Sequence, residues 1–283
     1  MMSLQNLSST RELIRAASKE LGIGRSEAEL VIATLMNRPR LEIYLKDTVN
    51  EEDGFILWSR IQQLKNGIPI EYVTKRVQFR DYTLSVQPGV FIPRIETESF
   101  VELLPKILPR SPERVLEIGT GCGAISIALA QLYPDADIIA TDISEPAIAN
   151  AVQNIKSFDF ESRIHLLRCD MLEGITGKFD LIVSNPPYVP RSRMKLLPKS
   201  VREFEPLKAI DGGEHGVQFI EKLVKKGMDY LTGAGVMALE IDEDSVKKLK
   251  TFMADRHIGS FVFKRDLFNK YRFLFIGVGN EKS

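Results

Sequence analysis

The stretch FDLIVSNPPYV, Phe179 to Val189, runs through apolar residues and stops at an amide, two prolines and a tyrosine. Consecutive prolines remove two backbone donors and fix two φ angles, so a strand ends there and the chain stiffens. Asn185 and Pro186 then offer acceptors, a side-chain amide oxygen and a carbonyl, which together orient both hydrogens of an –NH2 group. The Tyr188 ring offers a face on which a planar amide or a base stacks. A nitrogen held this way, its lone pair in line with an activated methyl, has the proximity that transfer requires. The motif contains no strong base and needs none: the positive charge of a sulfonium donor vanishes as the methyl leaves, and apolar surroundings favour that loss. A bare strand terminator is the plainer alternative, and it weighs less in this context.

A second cluster, EIGTGCGA from Glu117 to Ala124, ends one apolar run and opens a helical one. Gly119, Gly121 and Gly123 permit a tight turn and close approach of backbone to a ligand. Their spacing also fits the dinucleotide fingerprint, so the loop alone does not separate a nicotinamide cofactor from another adenosine ligand. Asp142, 19 positions beyond Gly123, ends the next apolar run, where a carboxylate accepts from ribose hydroxyls or caps the helix after Ser144. The Asn185 motif breaks the tie, because a hydride-transfer enzyme has no need of it. The residues alone thus point to an amino- or amide-nitrogen methyltransferase.

These residues need a frame. After Pro112 the runs RVLEIG, DIIATD, IHLLRCD, FDLIVSN and GVMALEI alternate with helical stretches, which predicts a mostly parallel sheet covered on both faces, an α/β Rossmann-like arrangement. The tail GSFVFKRDLFNKYRFLFIGVG adds two strands without a helix between them, giving one antiparallel strand. Before the sheet, residues 1–71 read as a small helical domain, with a Ser26/Glu29 capping box and a second helix opened by Asn50 and closed near Gly67. VQFRDYTLSV predicts a β-hairpin turning at Arg80-Asp81 within a linker over 72–94. The methyltransferase domain is expected over 95–283, its first helix starting near Glu96.

Composition bounds the rest. Of 283 residues, 44% are hydrophobic, enough for a sizeable core, and 38 basic residues balance 38 acidic ones, which argues against a general nucleic-acid or membrane footprint. Cys122 and Cys169, with the scattered His165, His215 and His257, lack metal-ligand spacing, so no metal site is expected. The N-terminal MMSLQNLSSTRELIRAASKE has no leader pattern, and no segment approaches a membrane span. A soluble, reduced, cytoplasmic protein is expected.

Taken together, the motifs resemble the class I S-adenosylmethionine-dependent methyltransferases, and among them the release factor glutamine N5-methyltransferases (PrmC/HemK family). Besides SNPPYV, the segment GIPIEY with Phe79 resembles the family's inter-domain segment, QPGVFIPRIETE its PGV-hydrophobic-IPRPETE block, and EIGTGCGAI its cofactor loop. FEPLKAIDGGEHGV is similar to its EP…GG..G segment, ALEI to its fifth strand. The likeness extends from about Gly67 to KYRFLFI. Ile95 departs from the family's proline, and Lys75 and Asp242 from its glycines. The resemblance implies S-adenosyl-L-methionine as cofactor, leaving S-adenosyl-L-homocysteine. Gly119, Thr120, Gly121, Cys122 and Gly123 would line its methionine part, Asp142 its ribose, and Met171 would stand at an adenine-side position that is often aromatic. Asn185, Pro186, Pro187 and Tyr188 would grip the substrate amide, with Asn185 also near the cofactor. Arg94, Glu96 and Glu98 are candidates for the substrate entrance, with a solvated face or helix-start acids as the alternative, and the Glu205-Pro206 segment for a lid, with a plain turn as the alternative. The implied acceptor is the glutamine of the Gly-Gly-Gln motif of peptide chain release factors, a modification that modulates translation termination, and the helical domain would dock that partner. Alternatives are a ribosomal-protein glutamine, or adenine N6 or guanine N2 of nucleic acid. A monomer with no direct nucleic-acid partner is expected.

Overall fold

The computed structural model describes residues 9–45 and 48–277. The chain divides into two compact units. One runs to Arg76 and also holds Lys199–Phe204; the other holds Val77–Pro198 and continues from Glu205. The first boundary lies at Arg76–Val77, and Lys199–Phe204 falls in the helical unit although the sequence predicts one domain over all of 95–283. Residues 1–8 of the stretch examined for a leader, and the last two residues of the tail segment, lie outside the described residues.

The helical unit opens with α1 (Thr10–Leu21), α2 (Arg25–Met36) and α3 (Glu51–Lys65), followed by a single turn, α4 (Ile70–Thr74). Its capping box is Ser9 with Glu12: the Glu12 N–H donates to Ser9 Oγ at 3.3 Å and the Ser9 N–H to Glu12 Oε2 at 3.0 Å. The box expected at Ser26 and Glu29 does not form. The helix starts at Arg25 behind an uncapped Gly24, so Ser26 already has helical backbone. Glu29 turns inward instead and accepts from Tyr44 at 2.6 Å and from Arg40, contacts that hold its carboxyl below the usual carboxylate range. Asn50 caps α3 by accepting from the Asp53 N–H at 2.8 Å, and Gly67 takes φ +93° just past its end, as the sequence predicts. Leu13, Ile14, Ile32, Leu35, Ile43, Leu57 and Ile61 form the unit's core.

In the second unit Val77–Phe79 completes β1 (Arg76–Phe79), which pairs with β2 (Tyr82–Ser85) across the predicted Arg80-Asp81 turn. After α5 (Ile95–Ile107) come β3 (Arg114–Ile118), α6 (Ala124–Leu132), β4 (Asp137–Asp142), α7 (Glu145–Ser157), β5 (Ile164–Arg168) and β6 (Phe179–Ser184). The short helix α8 (Arg191–Met194) follows and, after α9 (Lys199–Phe204), which belongs to the helical unit, come α10 (Gln218–Gly227), β7 (Leu231–Glu240), α11 (Val246–Asp255), β8 (Phe261–Arg265) and β9 (Tyr271–Ile276). The seven-stranded sheet has the order β5-β4-β3-β6-β7-β9-β8, and β9 runs antiparallel to both its neighbours. This is the mostly parallel sheet with one antiparallel strand that the periodicity predicts. Helix α11 is missing from that prediction. No helix of the described residues is long and apolar enough to cross a membrane.

Register decides what meets at the carboxyl edge, where ligands bind in open α/β sheets. Ile118 pairs with Thr141, so the next residues, Gly119 and Asp142, emerge side by side. Glu117 pairs with Val183, bringing the end of β6 beside the glycine loop. Ser184 pairs with Leu239, so Asn185 and Glu240 leave the sheet together.

Candidate active site

The glycine loop turns directly off β3. The Gly119 and Thr120 N–H groups donate to the Thr141 carbonyl at 2.8 and 2.9 Å, and Gly119, Gly121 and Gly123 all take positive φ. A Cβ at Gly119 or Gly121 would meet no atom within 4 Å, so both face open space; one at Gly123 would meet Ala151 at 3.5 Å, so that glycine serves helix packing. Buried Asn154 on α7 braces the loop from behind, donating to the Cys122 carbonyl at 2.8 Å and to the Ser85 carbonyl at 2.8 Å.

The loop opens onto a cleft of about 750 Å3 in the second unit. Its lining includes Gly119, Thr120, Gly121, Cys122, Asp142, Met171, Asn185, Pro186 and Pro187. Gly123 and Tyr188 are set back from that wall. Asp142 is fixed by two backbone donors, the Gly121 N–H on Oδ2 at 2.9 Å and the Ser144 N–H on Oδ1 at 2.8 Å, while burial pushes its pKa up. Each oxygen keeps a lone pair for a ribose hydroxyl, whereas the cap of α7 weighed for Asp142 is made by Ser144, whose Oγ accepts from the Ala147 N–H at 3.4 Å. Met171 sits at φ +56° and packs into the core as well as lining the cleft.

Glu117, on β3, also lines the cleft and is fully buried. Its Oε2 accepts from Thr120 at 2.8 Å and from Ser126, while Oε1 has no partner among the described residues. Burial drives its pKa up to about 7 against the pull of the Ser126 and Thr120 hydroxyls. Sequence reasoning passed over Glu117 because an acid inside an apolar strand looks like a pattern break; its place one step before the glycine turn was the available signal.

A second buried carboxylate stands behind Asn185. The Asn185 Nδ2 donates to Thr97 Oγ1 at 3.0 Å, Thr97 Oγ1 donates to Glu240 Oε2 at 2.7 Å, and the Tyr188 hydroxyl donates to Glu240 Oε1 at 3.2 Å. Thr97 and Glu240 are 3% and 1% exposed, so the bond between them is buried, while the Asn185 and Tyr188 ends are half-buried. Burial raises Glu240 to about 7 and raises the Tyr188 phenol well above its usual range.

Two further segments complete the frame. Arg94 lies over the Phe91 ring at 4.9 Å and pairs with the buried Glu205 at 2.5 Å, while the following Pro206, Leu207 and Lys208 form one wall of the cleft. The entrance candidate Arg94 and the lid-or-turn segment at Glu205 therefore meet each other. Behind Tyr188, Val189 exchanges backbone hydrogen bonds with Ile210 and Gly212 at 3.0 and 2.9 Å. A Cβ on Gly212 would stand 2.7 Å from the Tyr188 backbone, and one on Gly216 2.5 Å from the Tyr188 carbonyl oxygen, so these glycines let the loop pack backbone to backbone. Asp242 caps the turn at Glu243–Ser245 and pairs with Arg193 at 2.7 Å.

Comparison with known proteins places this geometry in context. The family model Methyltransferase small domain matches residues 81–201. A Moorella thermoacetica protein named release factor glutamine methyltransferase is 34% identical over 260 residues, covering 89% of this chain and 91% of its own. One of the same name from Dictyoglomus turgidum is 38% identical over 201 residues, 70% of this chain and 71% of its own. Among solved structures, a Thermus thermophilus 16S rRNA methyltransferase in complex with AdoMet and guanosine shares the fold, with a TM-score of 0.51 at 20% identity over 71% of this chain and 49% of its own.

Proposed function

The chain belongs to the release factor glutamine methyltransferase family, and from that premise we propose that it methylates the side-chain amide nitrogen of the glutamine in the Gly-Gly-Gln loop of peptide chain release factors, with S-adenosylmethionine as donor. The observation that carries this reading is one cleft lined by Gly119, Gly121 and Asp142, the residues proposed for the nucleoside, together with Asn185 and Pro186, proposed for the amide.

The residues present fit the cofactor. Glu117 Oε1 is a buried acceptor without a partner among the described residues, suited to the ammonium of a methionine moiety, and the open space over Gly119 and Gly121 admits the rest of that moiety. Asp142 keeps a lone pair on each oxygen for ribose hydroxyls, and Met171 offers an apolar side chain to the adenine side. When bound, S-adenosylmethionine supplies an electrophilic methyl on sulfur. The chain does the rest. Asn185 Oδ1 and the Pro186 carbonyl accept the two hydrogens of the glutamine amide, which turns the nitrogen lone pair into the cleft. Tyr188, tied to Glu240, stiffens the turn that presents those acceptors. The proton leaves the methylated nitrogen for water afterwards, so no base is asked of the site.

The helical unit would dock the protein substrate, and its exposed Leu41, Leu45, Phe55 and Ile56 are the side chains suited to that contact. The release-factor glutamine is preferred over ribosomal or nucleic-acid acceptors because the curated relatives cited carry that name. The test is transfer of label from radioactive S-adenosylmethionine to an unmodified release factor, beside one whose Gly-Gly-Gln glutamine is changed to glutamate. Label in the first alone supports the reading. Label in neither, with the cofactor bound, refutes the acceptor.

A further inference from the structure

Asn185 can perform its proposed task only one way round. Rotated by half a turn, its amide would present two N–H donors where a substrate amide needs acceptors, and the two orientations have nearly the same shape. Something must choose between them. The sequence of bonds running inward from Asn185 ends on Glu240, and a carboxylate accepts but does not donate. Thr97 has one hydroxyl proton and gives it to Glu240, so toward Asn185 it can only accept. The group facing Thr97 must then be Nδ2, which leaves Oδ1 for the cleft that Asn185 lines.

We propose that Thr97 and Glu240 are positioning residues that set the orientation of the Asn185 amide, and through it the acceptor presented to the substrate nitrogen. The proposal deepens the function given above and rests on its assignment of Asn185. The two residues come from distant parts of the chain, the first turn of α5 and the end of β7, and neither lies among the acceptors that grip the substrate. Tyr188 completes the arrangement by donating to the other oxygen of Glu240, so the carboxylate faces a hydroxyl on each side. Glu96 on α5 and Arg272 on β9 are the remaining charges that act on Glu240, the first raising and the second lowering its pKa. Protonation would give Glu240 a donor of its own and remove the constraint, so amide orientation, and turnover with it, should fail on the acid side of neutrality.

The test has an arm that needs no turnover. In the free, nitrogen-15-labelled protein, the Asn185 side-chain NH2 should exchange with water slowly. Thr97→Val, nearly the same shape, should bring that exchange to the rate of an exposed amide and lower kcat by about tenfold to a hundredfold, while KM and S-adenosylmethionine affinity stay within about twofold. Thr97→Ser, which restores the hydroxyl, should recover both. Glu240→Gln, whose amide can face Thr97 either way, should lose the acid limb of the kcat profile. Glu117 titrates in the same range, so a limb unchanged in Glu240→Gln belongs to Glu117 and overturns the role of Glu240. Unaltered Asn185 exchange or wild-type kcat in Thr97→Val overturns the proposal as a whole. A wild-type enzyme that leaves release factor unlabelled would refute the acceptor, and the exchange measurement would still decide the positioning.

Discussion

At the scale of single residues, the two buried carboxyls at the sheet's carboxyl edge set up an opposition between stability and activity. Glu117 and Glu240 both titrate at about 7, against 4.5 for a glutamate without burial, because desolvation penalises their charge more than the surrounding hydroxyls favour it. The folded chain therefore binds these protons more tightly than the unfolded one. Their contribution to stability is complete below about pH 4.5 and is lost as pH rises through about 7, on the order of 3 kcal/mol per group at the upper end. Urea titrations at about pH 5.5 and pH 8 should show lower stability at the higher pH, and Glu240→Gln should reduce the difference. A wild-type protein more stable at the higher pH would contradict this. Activity should change in the opposite sense, since the carboxylate form of Glu240 holds Thr97 as a donor. Asn185→Ala should lower kcat by about a hundredfold or more with little effect on the melting temperature, as removal of a single transition-state contact does elsewhere; turnover near wild type would remove Asn185 from the mechanism.

At the scale of elements, what the sequence displays depends on how local the cause is. The strands, the hairpin turn at Arg80-Asp81, the α3 cap at Asn50 and the glycine turn after β3 were legible because period, turn chemistry and caps act within a few residues. Thr97 and Glu240 were not, because one is a helix threonine and the other a strand acid until β6–β7 register and α5 bring them together. Asn154, which ties β2 and the glycine loop to α7, was hidden for the same reason. The Ser26/Glu29 box misled because the pattern was present while α2 began two residues earlier than that box requires, at Arg25; the working box belongs to α1, at Ser9 and Glu12. Two substitutions test local arguments of this kind. Lys75 sits at φ +57° and ψ 30° at the end of α4, a conformation that strains any residue with a Cβ. Lys75→Gly should therefore stabilise the chain by about 0.5–1 kcal/mol in chemical denaturation, whereas a loss of stability would show that the lysine side chain matters more than the backbone. Gly212→Ala should press a methyl against the Tyr188 backbone and lower kcat more than cofactor affinity; equal loss of both would point to general unfolding instead of a displaced loop.

At the scale of the whole molecule, the proposed function gives chemistry and recognition to different units. Phe55 is 60% exposed and Leu41 85% exposed on the helical unit, more than a solvated surface requires of such side chains. Phe55→Ser combined with Leu41→Ser should raise KM for release factor by about tenfold, the effect of removing an apolar anchor from an interface, while S-adenosylmethionine affinity is retained. An unchanged KM would move the docking surface elsewhere. The division of the chain itself has a consequence for ancestry and engineering. Lys199–Phe204 belongs to the helical unit although the residues on either side of it belong to the other, so the backbone passes between the units at three places. Recombination at the Arg76–Val77 junction would transplant most of the helical unit and strand six residues of it in the recipient. The two parts should therefore be inherited as a pair, and a protease nick at Arg76 should leave a molecule that still migrates as one.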